Sequence, residues 1–243
     1  MPFYKMTWSA PERRATIHNY GCNFRCRFCT YLLRGSDRPG SAFPRPERFL
    51  GLGEIRETLR RLEPAVVNFM GGEPTTSADL PELLCFAKHE LGVATRLGHT
   101  NGSNLPIADL DGANVSLKAW YPEVHLEYTG MPKERIFGNF TAAHAAGLQL
   151  RANTVFIPGY VDVDQVEAMA AFVARHDRAI PFHINGYFEV PGQPYRRPTA
   201  EEVVRAAEAS RRHLTTVTTS RLTSEEAREL TARDARFQAE RVL

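Results

Sequence analysis

Ala15-Thr16-Ile17-His18-Asn19-Tyr20-Gly21-Cys22-Asn23-Phe24-Arg25-Cys26-Arg27-Phe28-Cys29 carries two readings at once. Its first six residues are a short run with β-branched and apolar positions, closed by Gly21, which is the pattern of a strand running into a turn. The three cysteines that follow stand at x3 and then x2 spacing, close enough to face one centre. Outward from this stretch the same order recurs, a strand, a loop and a helix-period segment. Candidate strands are Ala15–Tyr20, Ala65–Met70, Val93–His99, Asn114–Ala119, Leu148–Phe156 and Pro181–Phe188. The intervening helices are expected at about 53–62, 78–91, 105–111, 133–146, 163–176 and 199–213. Six βα units predict an α/β fold, an open and partial (β/α)6 barrel whose functional residues follow the strands. The charged, helix-period segment Ser224–Val242 reads as a terminal helix. The expectation is therefore one domain over 1–243, with a core of about 15–213 and a C-terminal helical extension of about 222–243.

Composition narrows the function classes. With 43% hydrophobic residues in 243 positions the chain can bury a large core. Thirty Lys+Arg against 28 Asp+Glu leave a net charge of +2 with no block of one sign, so no nucleic-acid partner is indicated. There is neither a basic-then-apolar leader nor a run near the roughly 20 apolar residues of a membrane span, which reads as a soluble, cytoplasmic protein. Four cysteines, three of them within eight positions, suit a metal centre in a reducing compartment better than a disulfide framework. The longest stretch without periodicity, Leu33–Leu52, reads as a lid or binding loop.

Soft thiolates favour zinc or an iron–sulfur cluster. A structural zinc would need a fourth ligand, for which Cys85 and His18 are the candidates. Cys85 stands among Leu83, Leu84, Phe86 and Ala87, where a small buried thiol is the expected reading. The three-cysteine site is thus incomplete, as a [4Fe–4S] cluster with one open iron would be. Gly71-Gly72-Glu73-Pro74 follows the second strand, with two glycines that permit close approach and a carboxylate suited to an ammonium.

Cys22–Cys29 resembles the CxxxCx(aromatic)C signature of radical S-adenosylmethionine (SAM) enzymes, and Gly71-Gly72-Glu73 resembles that family's GGE motif. Thr100-Asn101-Gly102, Ser116-Leu117-Lys118, Tyr128-Thr129-Gly130 and Val155-Phe156-Ile157-Pro158-Gly159-Tyr160 are similar in order and spacing to pyruvate formate-lyase activating enzyme and its small homologues. The resemblance implies a radical SAM barrel that holds a [4Fe–4S] cluster on Cys22, Cys26 and Cys29. It implies reductive cleavage of SAM to a 5′-deoxyadenosyl radical, which abstracts hydrogen from a substrate. That substrate is a glycine of a glycyl radical enzyme or, alternatively, a small metabolite, peptide or nucleic acid. A non-catalytic zinc protein is the remaining rival. An electron donor such as flavodoxin or ferredoxin is the implied redox partner.

By the same resemblance Gly71, Gly72, Glu73 and Pro74 receive the methionyl end of SAM, and Thr100 and Asn101 lie near it. Lys118 stands at the SAM carboxylate or the reaction chamber. His183 or Asn185 is expected near the ribose or adenine, and Phe28 against the adenine. Lys118 and His183 are the candidate catalytic residues. His99 and Ser116 occupy positions where the best-known activating enzymes carry Asp. The loss of two carboxylates removes the reason for a bound cation beside the SAM carboxylate, and a protonated His99 would replace that cation. Among the other histidines, His89, His144, His176 and His213 read as solvated helical residues, whereas His18 stands near the cluster loop. The arginines of Arg34–Arg48 and Arg196–Arg197 read as solvated charge, and Trp120-Tyr121 as chamber wall or core.

Overall fold

A computed structural model describes residues 3–30, 45–221, 224–233 and 238–243. The chain order is β1 (Phe3–Ser9), β2 (Arg14–Asn19), α1 (Leu52–Leu62), β3 (Val66–Gly71), α2 (Leu80–Cys85), β4 (Ala94–Thr100), β5 (Gly112–Ser116), α3 (Pro122–Thr129), α4 (Lys133–Ala145), β6 (Gln149–Phe156), α5 (Val163–Ala174), β7 (Phe182–Gly186), α6 (Ala200–Arg211), β8 (Val217–Ser220), α7 (Ser224–Arg233) and β9 (Glu240–Arg241). One sheet runs β8-β7-β6-β5-β4-β3-β2-β1-β9. From β2 to β8 every pairing is parallel, and β1 and β9 are added antiparallel at the β2 edge.

Each expected strand is present, and the barrel is of the expected open class. It extends beyond six strands. β8 is too short and polar to be read from Val-Thr-Thr-Ser, and β1 has an irregular alternation because its pairing with β2 shifts between Phe3 and Lys5. The segment 105–111 is not helical. Pro106 disfavours helix at the residue before it, and Asp109 takes a positive φ of 62°. The unexpected helix α3 had legible ends, with Pro122 in its first turn and Gly130 in the left-handed conformation after its last. The helix expected at 78–91 is α2 followed by a π turn over Phe86–Glu90. The expected terminal helix is described over Ser224–Arg233, and Glu240–Arg241 pairs with β1, where Met6 N–H donates to the Leu243 carbonyl at 3.1 Å.

The core follows from alternation along the strands. Ala15 and Ile17, Val67 and Phe69, Ala113 and Val115, Leu150 and Ala152, and Phe182 and Ile184 are all buried, beneath Ile55 and Leu59 of α1, Phe140 of α4, Val166 and Met169 of α5 and Val203 of α6. Each such Val, Leu, Ile, Phe or Met side chain stabilises the fold by about 1.5–3 kcal/mol. Strand positions of the alternate set line the barrel interior, polar at His18, Ser116, Asn153 and Asn185 and apolar at Met70 and Val155. The apolar set thus covers the sheet's helix side and leaves the interior for chemistry.

Candidate active site

The cysteine loop begins where β2 ends. Asn19, wholly buried, donates from Nδ2 to the Gly21 carbonyl at 3.1 Å and the Glu73 carbonyl at 2.9 Å, joining this loop to the turn after β3. From the other side α3 offers two carbonyls. Arg25 N–H donates to Thr129 at 2.9 Å and Arg27 N–H to Tyr128 at 3.0 Å. Phe24 is buried between them and fixes the loop to the core. Cys22 Sγ accepts from the Phe24 N–H at 3.3 Å and from the Asn101 amide at 3.7 Å. Burial pushes the Cys22 thiol up to about 11 and the Cys26 thiol up to about 12, the latter against the charge of Lys118.

The glycines of the β3 turn are required by backbone contact. Gly71 has φ +116°, and a Cβ there would lie 2.3 Å from the Asn19 carbonyl oxygen; a Cβ on Gly72 would lie 1.9 Å from that of Gly21. Glu73 is buried, and its carboxylate turns inward. It accepts from Thr75 N–H at 3.1 Å, Thr75 Oγ1 at 2.7 Å, Thr100 Oγ1 at 2.8 Å and Asn101 N–H at 2.6 Å. Burial nonetheless holds its carboxyl above the ordinary range. Asn101 continues the network, donating to Asn23 Oδ1 at 2.8 Å and accepting from Ser103 N–H at 2.9 Å. The side chains of Glu73, Thr100 and Asn101 therefore bind one another and the cysteine loop. Pro74 is buried in the short turn that follows.

These elements surround a cavity of about 550 Å³ at the C-terminal ends of β2 to β7. It is lined by Cys22, Cys26, Cys29, Phe28, Gly71, Gly72, Glu73, His99, Thr100, Asn101, Ser116, Lys118 and Asn185, together with Tyr4, Lys5, His18 and Asn153. Phe28 packs against Tyr128, Tyr160, Tyr187 and Tyr195 at ring distances of 4.9, 5.0, 5.5 and 5.5 Å. Ser116 donates to Asn153 Oδ1 at 2.6 Å, and Asn153 donates to Asn114 at 2.8 Å. His99 reaches the cavity through an extra residue in β4 between Leu97 and Thr100, relative to β5. Its side chain is exposed to the cavity, where desolvation and the charge of Lys118 lower it to about 4. Both effects favour the neutral ring over the protonated one. His183 is not among the lining residues; its Nδ1 pairs with Thr218 Oγ1 at 2.8 Å.

Cys85 is exposed, not buried, because Leu83, Leu84, Phe86 and Ala87 occupy the covered faces of that helix. Among the described residues, its thiol, His89 and Asp109 are the trio of metal-ligating atoms that all lie within 4.8 Å of one another. Cys22, Cys26 and Cys29 do not form such a trio, so at least one sulfur pair is wider. A tetrahedral zinc would hold its sulfurs about 3.8 Å apart, from a Zn–S length of about 2.3 Å. Three partly buried thiols, with N–H groups directed at one sulfur and no fourth cysteine lining the cavity, fit an iron–sulfur cluster. The other expected peripheral residues lie elsewhere. His89 pairs with Asp109 and His213 with Glu167, His144 and His176 meet ring to ring, Arg196 pairs with Glu202, and Trp120 packs on Phe137 and Phe172 as core. Residues 33–44 of the expected lid lie outside the described residues, as does Arg34.

Residues 16–173 match the Radical SAM superfamily. The chain belongs to that superfamily. Its members use a [4Fe–4S] cluster and SAM, so this radical SAM chain is an enzyme of that class. A putative glycyl-radical enzyme activating enzyme of Methanocaldococcus jannaschii is 26% identical over 216 residues, 85% of this chain and 80% of that protein. The GTP 3′,8-cyclase of Acidothermus cellulolyticus is 33% identical over 174 residues, 66% of this chain but 47% of that enzyme. The barrel is shared with Streptococcus suis SuiB bound to its precursor peptide, at a TM-score of 0.64 and 20% identity over 84% of this chain and 48% of SuiB. Four residues at or beside the cavity were not singled out in the sequence. Asn19 was legible only as a polar residue closing a strand, Asn153 as the polar member of an apolar run, and Tyr4 and Lys5 lie on the unread strand β1.

Proposed function

We propose that this chain reductively cleaves SAM and directs the resulting radical at a hydrogen of a substrate received in the cavity. The observation that carries this reading is the convergence of Cys22, Cys26 and Cys29, the turn Gly71–Glu73, Thr100–Asn101 and Lys118 on one cavity. When bound, the cluster and SAM supply the electron transfer that yields methionine and a 5′-deoxyadenosyl radical. Cys22, Cys26 and Cys29 would hold the cluster. Gly71 and Gly72 would present backbone groups to the methionyl end, and Glu73 keeps that turn in place through Thr100 and Asn101. Lys118 directs positive charge at the buried sulfurs and at the cavity, where it suits a carboxylate. Phe28 and its four tyrosines form an apolar wall that excludes water from the reacting face.

Two features bear on the substrate. The long match to the archaeal activating enzyme supports a glycine in a partner protein. The cavity's charge supports a small molecule: among the described residues Lys5 and Lys118 line it, and the one lining carboxylate, Glu73, is buried and hydrogen-bonded internally. We favour the small molecule on that ground. An electron donor such as flavodoxin or ferredoxin would serve either. Among the described residues no helix is long and apolar enough to cross a membrane.

The test is anaerobic reconstitution with iron and sulfide, then reduction with SAM present and chromatography for 5′-deoxyadenosine. Its formation by the parent chain and loss in Cys26→Ala is the expected result. A colourless protein that binds one zinc and forms no deoxyadenosine would overturn the reading.

A further inference from the structure

At the N-terminal ends of β4 and β5, away from the cavity, stands a second group of ligating side chains. Cys85 closes α2, His89 lies in the π turn that continues it towards β4, and Asp109 precedes β5. Helical residues four apart share a face, which brings the thiol and the imidazole side by side. The turn and the segment before β5 are joined in register: Lys88 pairs with Asp111, and His89 Nε2 lies 2.8 Å from Asp109 Oδ1. Both segments are fastened to β4. Thr95 donates from Oγ1 to the Asp109 carbonyl at 2.6 Å and from its N–H to the Asp111 carboxylate at 2.9 Å, and Val93 N–H donates to the Ala87 carbonyl at 3.1 Å. Among the described residues this framework gathers the thiol, the imidazole and the Asp109 carboxylate, with ligating atoms all within 4.8 Å of one another.

A surface ion pair does not account for this group. An exposed histidine–carboxylate pair contributes little to stability and needs no thiol, whereas cysteine is among the residue types most often buried, and Cys85 is exposed. One thiolate, one imidazole and one carboxylate are a donor set for zinc; magnesium and calcium take oxygen ligands. The two negative charges offset those of a divalent ion. Tetrahedral zinc, with bonds of about 2.0–2.3 Å, holds its ligand atoms about 3.3–3.8 Å apart, so rotations of about an ångström close the trio on the ion. The thiol proton passes to solvent, and the imidazole binds in its neutral form with its remaining N–H on the other ring nitrogen.

We propose that Cys85, His89 and Asp109 form a zinc site, with water in the fourth position, that ties the turn after α2 to the segment before β5. None of the three is among the cavity's lining residues, so the site is separate from the one assigned to the cluster and SAM and does not depend on the chemistry there.

The experiment titrates zinc into the full chain by anaerobic calorimetry, after reconstitution with iron and sulfide and desalting, so that the cluster cysteines are occupied. About one zinc per chain should bind. Cys85→Ser, His89→Gln and Asp109→Asn should each weaken it by about tenfold or more. Asparagine tolerates the positive φ of 62° at position 109, so that variant keeps the backbone. His213→Gln, from a histidine–carboxylate pair outside the trio, should bind zinc as the parent does, and a large excess of magnesium should not displace the ion. Independently of any variant, bound zinc should protect Cys85 from alkylation by iodoacetamide, read by mass spectrometry residue by residue, and a chelator should restore the reaction. The proposal is overturned if no zinc binds, if any of the three variants binds it as tightly as the parent, if His213→Gln weakens it equally, if magnesium displaces it, or if Cys85 is alkylated equally with and without zinc. Deoxyadenosine formation measured on the same samples separates this failure from that of the cavity's reading, since Cys85→Ser should form it as the parent does.

Discussion

Replacing Glu73 by Gln isolates what this carboxylate does. Gln has the same shape but one acceptor oxygen and one amide donor in place of two acceptors. If the NH2 takes the Oε2 position, it faces the Asn101 N–H, a contact of 2.6 Å; if it takes the Oε1 position, it faces the Thr75 N–H at 3.1 Å. The threonine hydroxyls can rotate to accept, but a backbone N–H cannot. One charge-assisted hydrogen bond of about 1.5–3 kcal/mol is lost, and one buried N–H is left unpaired. Relief of the buried charge offsets part of this, so a net loss of about 2 kcal/mol is expected. For a chain of this length that is a fall in Tm of about 4–8 °C. The assay is urea or thermal unfolding of the metal-free protein, where neither cluster nor SAM contributes. The pH dependence has a definite sign: a carboxyl raised by folding contributes its stability at acid pH and loses it as pH rises through the folded value. Stability of the parent should therefore fall relative to the Gln variant as pH rises through that range. If metal-free Glu73→Gln unfolds within about 0.5 kcal/mol of the parent while its SAM affinity drops tenfold or more, the carboxylate is a direct SAM ligand and the internal network has been misjudged.

Further outcomes are expected. Reconstituted protein should carry about four iron per chain, Cys22→Ala, Cys26→Ala and Cys29→Ala should each abolish SAM cleavage, and Cys85→Ala should retain it because that thiol is on the outer surface; about eight iron, or equal loss in the Cys85 variant, would refute the three-ligand site. Gly72→Ala, whose Cβ would lie 1.9 Å from a carbonyl oxygen, should lose upwards of about 3 kcal/mol in denaturant unfolding, whereas Gly51→Ala, whose Cβ meets nothing, should stay close to the parent. With His99 neutral and Ser116 uncharged, SAM cleavage should not respond to exchanging sodium, potassium and a bulky organic cation at constant ionic strength, and His99→Asp should introduce a response. A strong cation dependence in the parent would show that these two positions do not flank the SAM carboxylate.

The strands were legible because each buries an alternating apolar face, and the motifs because cysteine and glycine tolerate few substitutes in their roles. What the motifs' side chains do was less legible. Glu73, Thr100 and Asn101 read as residues near SAM, and the coordinates add that their hydrogen bonds also run to one another, since only coordinates reveal which way a buried carboxylate turns. Cys85 was misread because helix periodicity places an apolar neighbourhood in sequence, not in space. The strands β1, β8 and β9 were missed because pairing at a sheet edge depends on the partner strand more than on the segment's own pattern. With β1 went Tyr4 and Lys5.

The carbonyls of Tyr128 and Thr129 have a bearing on how the protein matures. They hold the cysteine loop by its backbone, through Arg25 and Arg27, and Phe24 anchors it in the core; none of these ties involves a sulfur. Small zinc modules acquire their fold from the metal and lose it to chelators. Here the cradle's backbone ties come from the barrel and pass through no sulfur. Loss of the metal would therefore leave the loop's backbone tied to the barrel through these bonds.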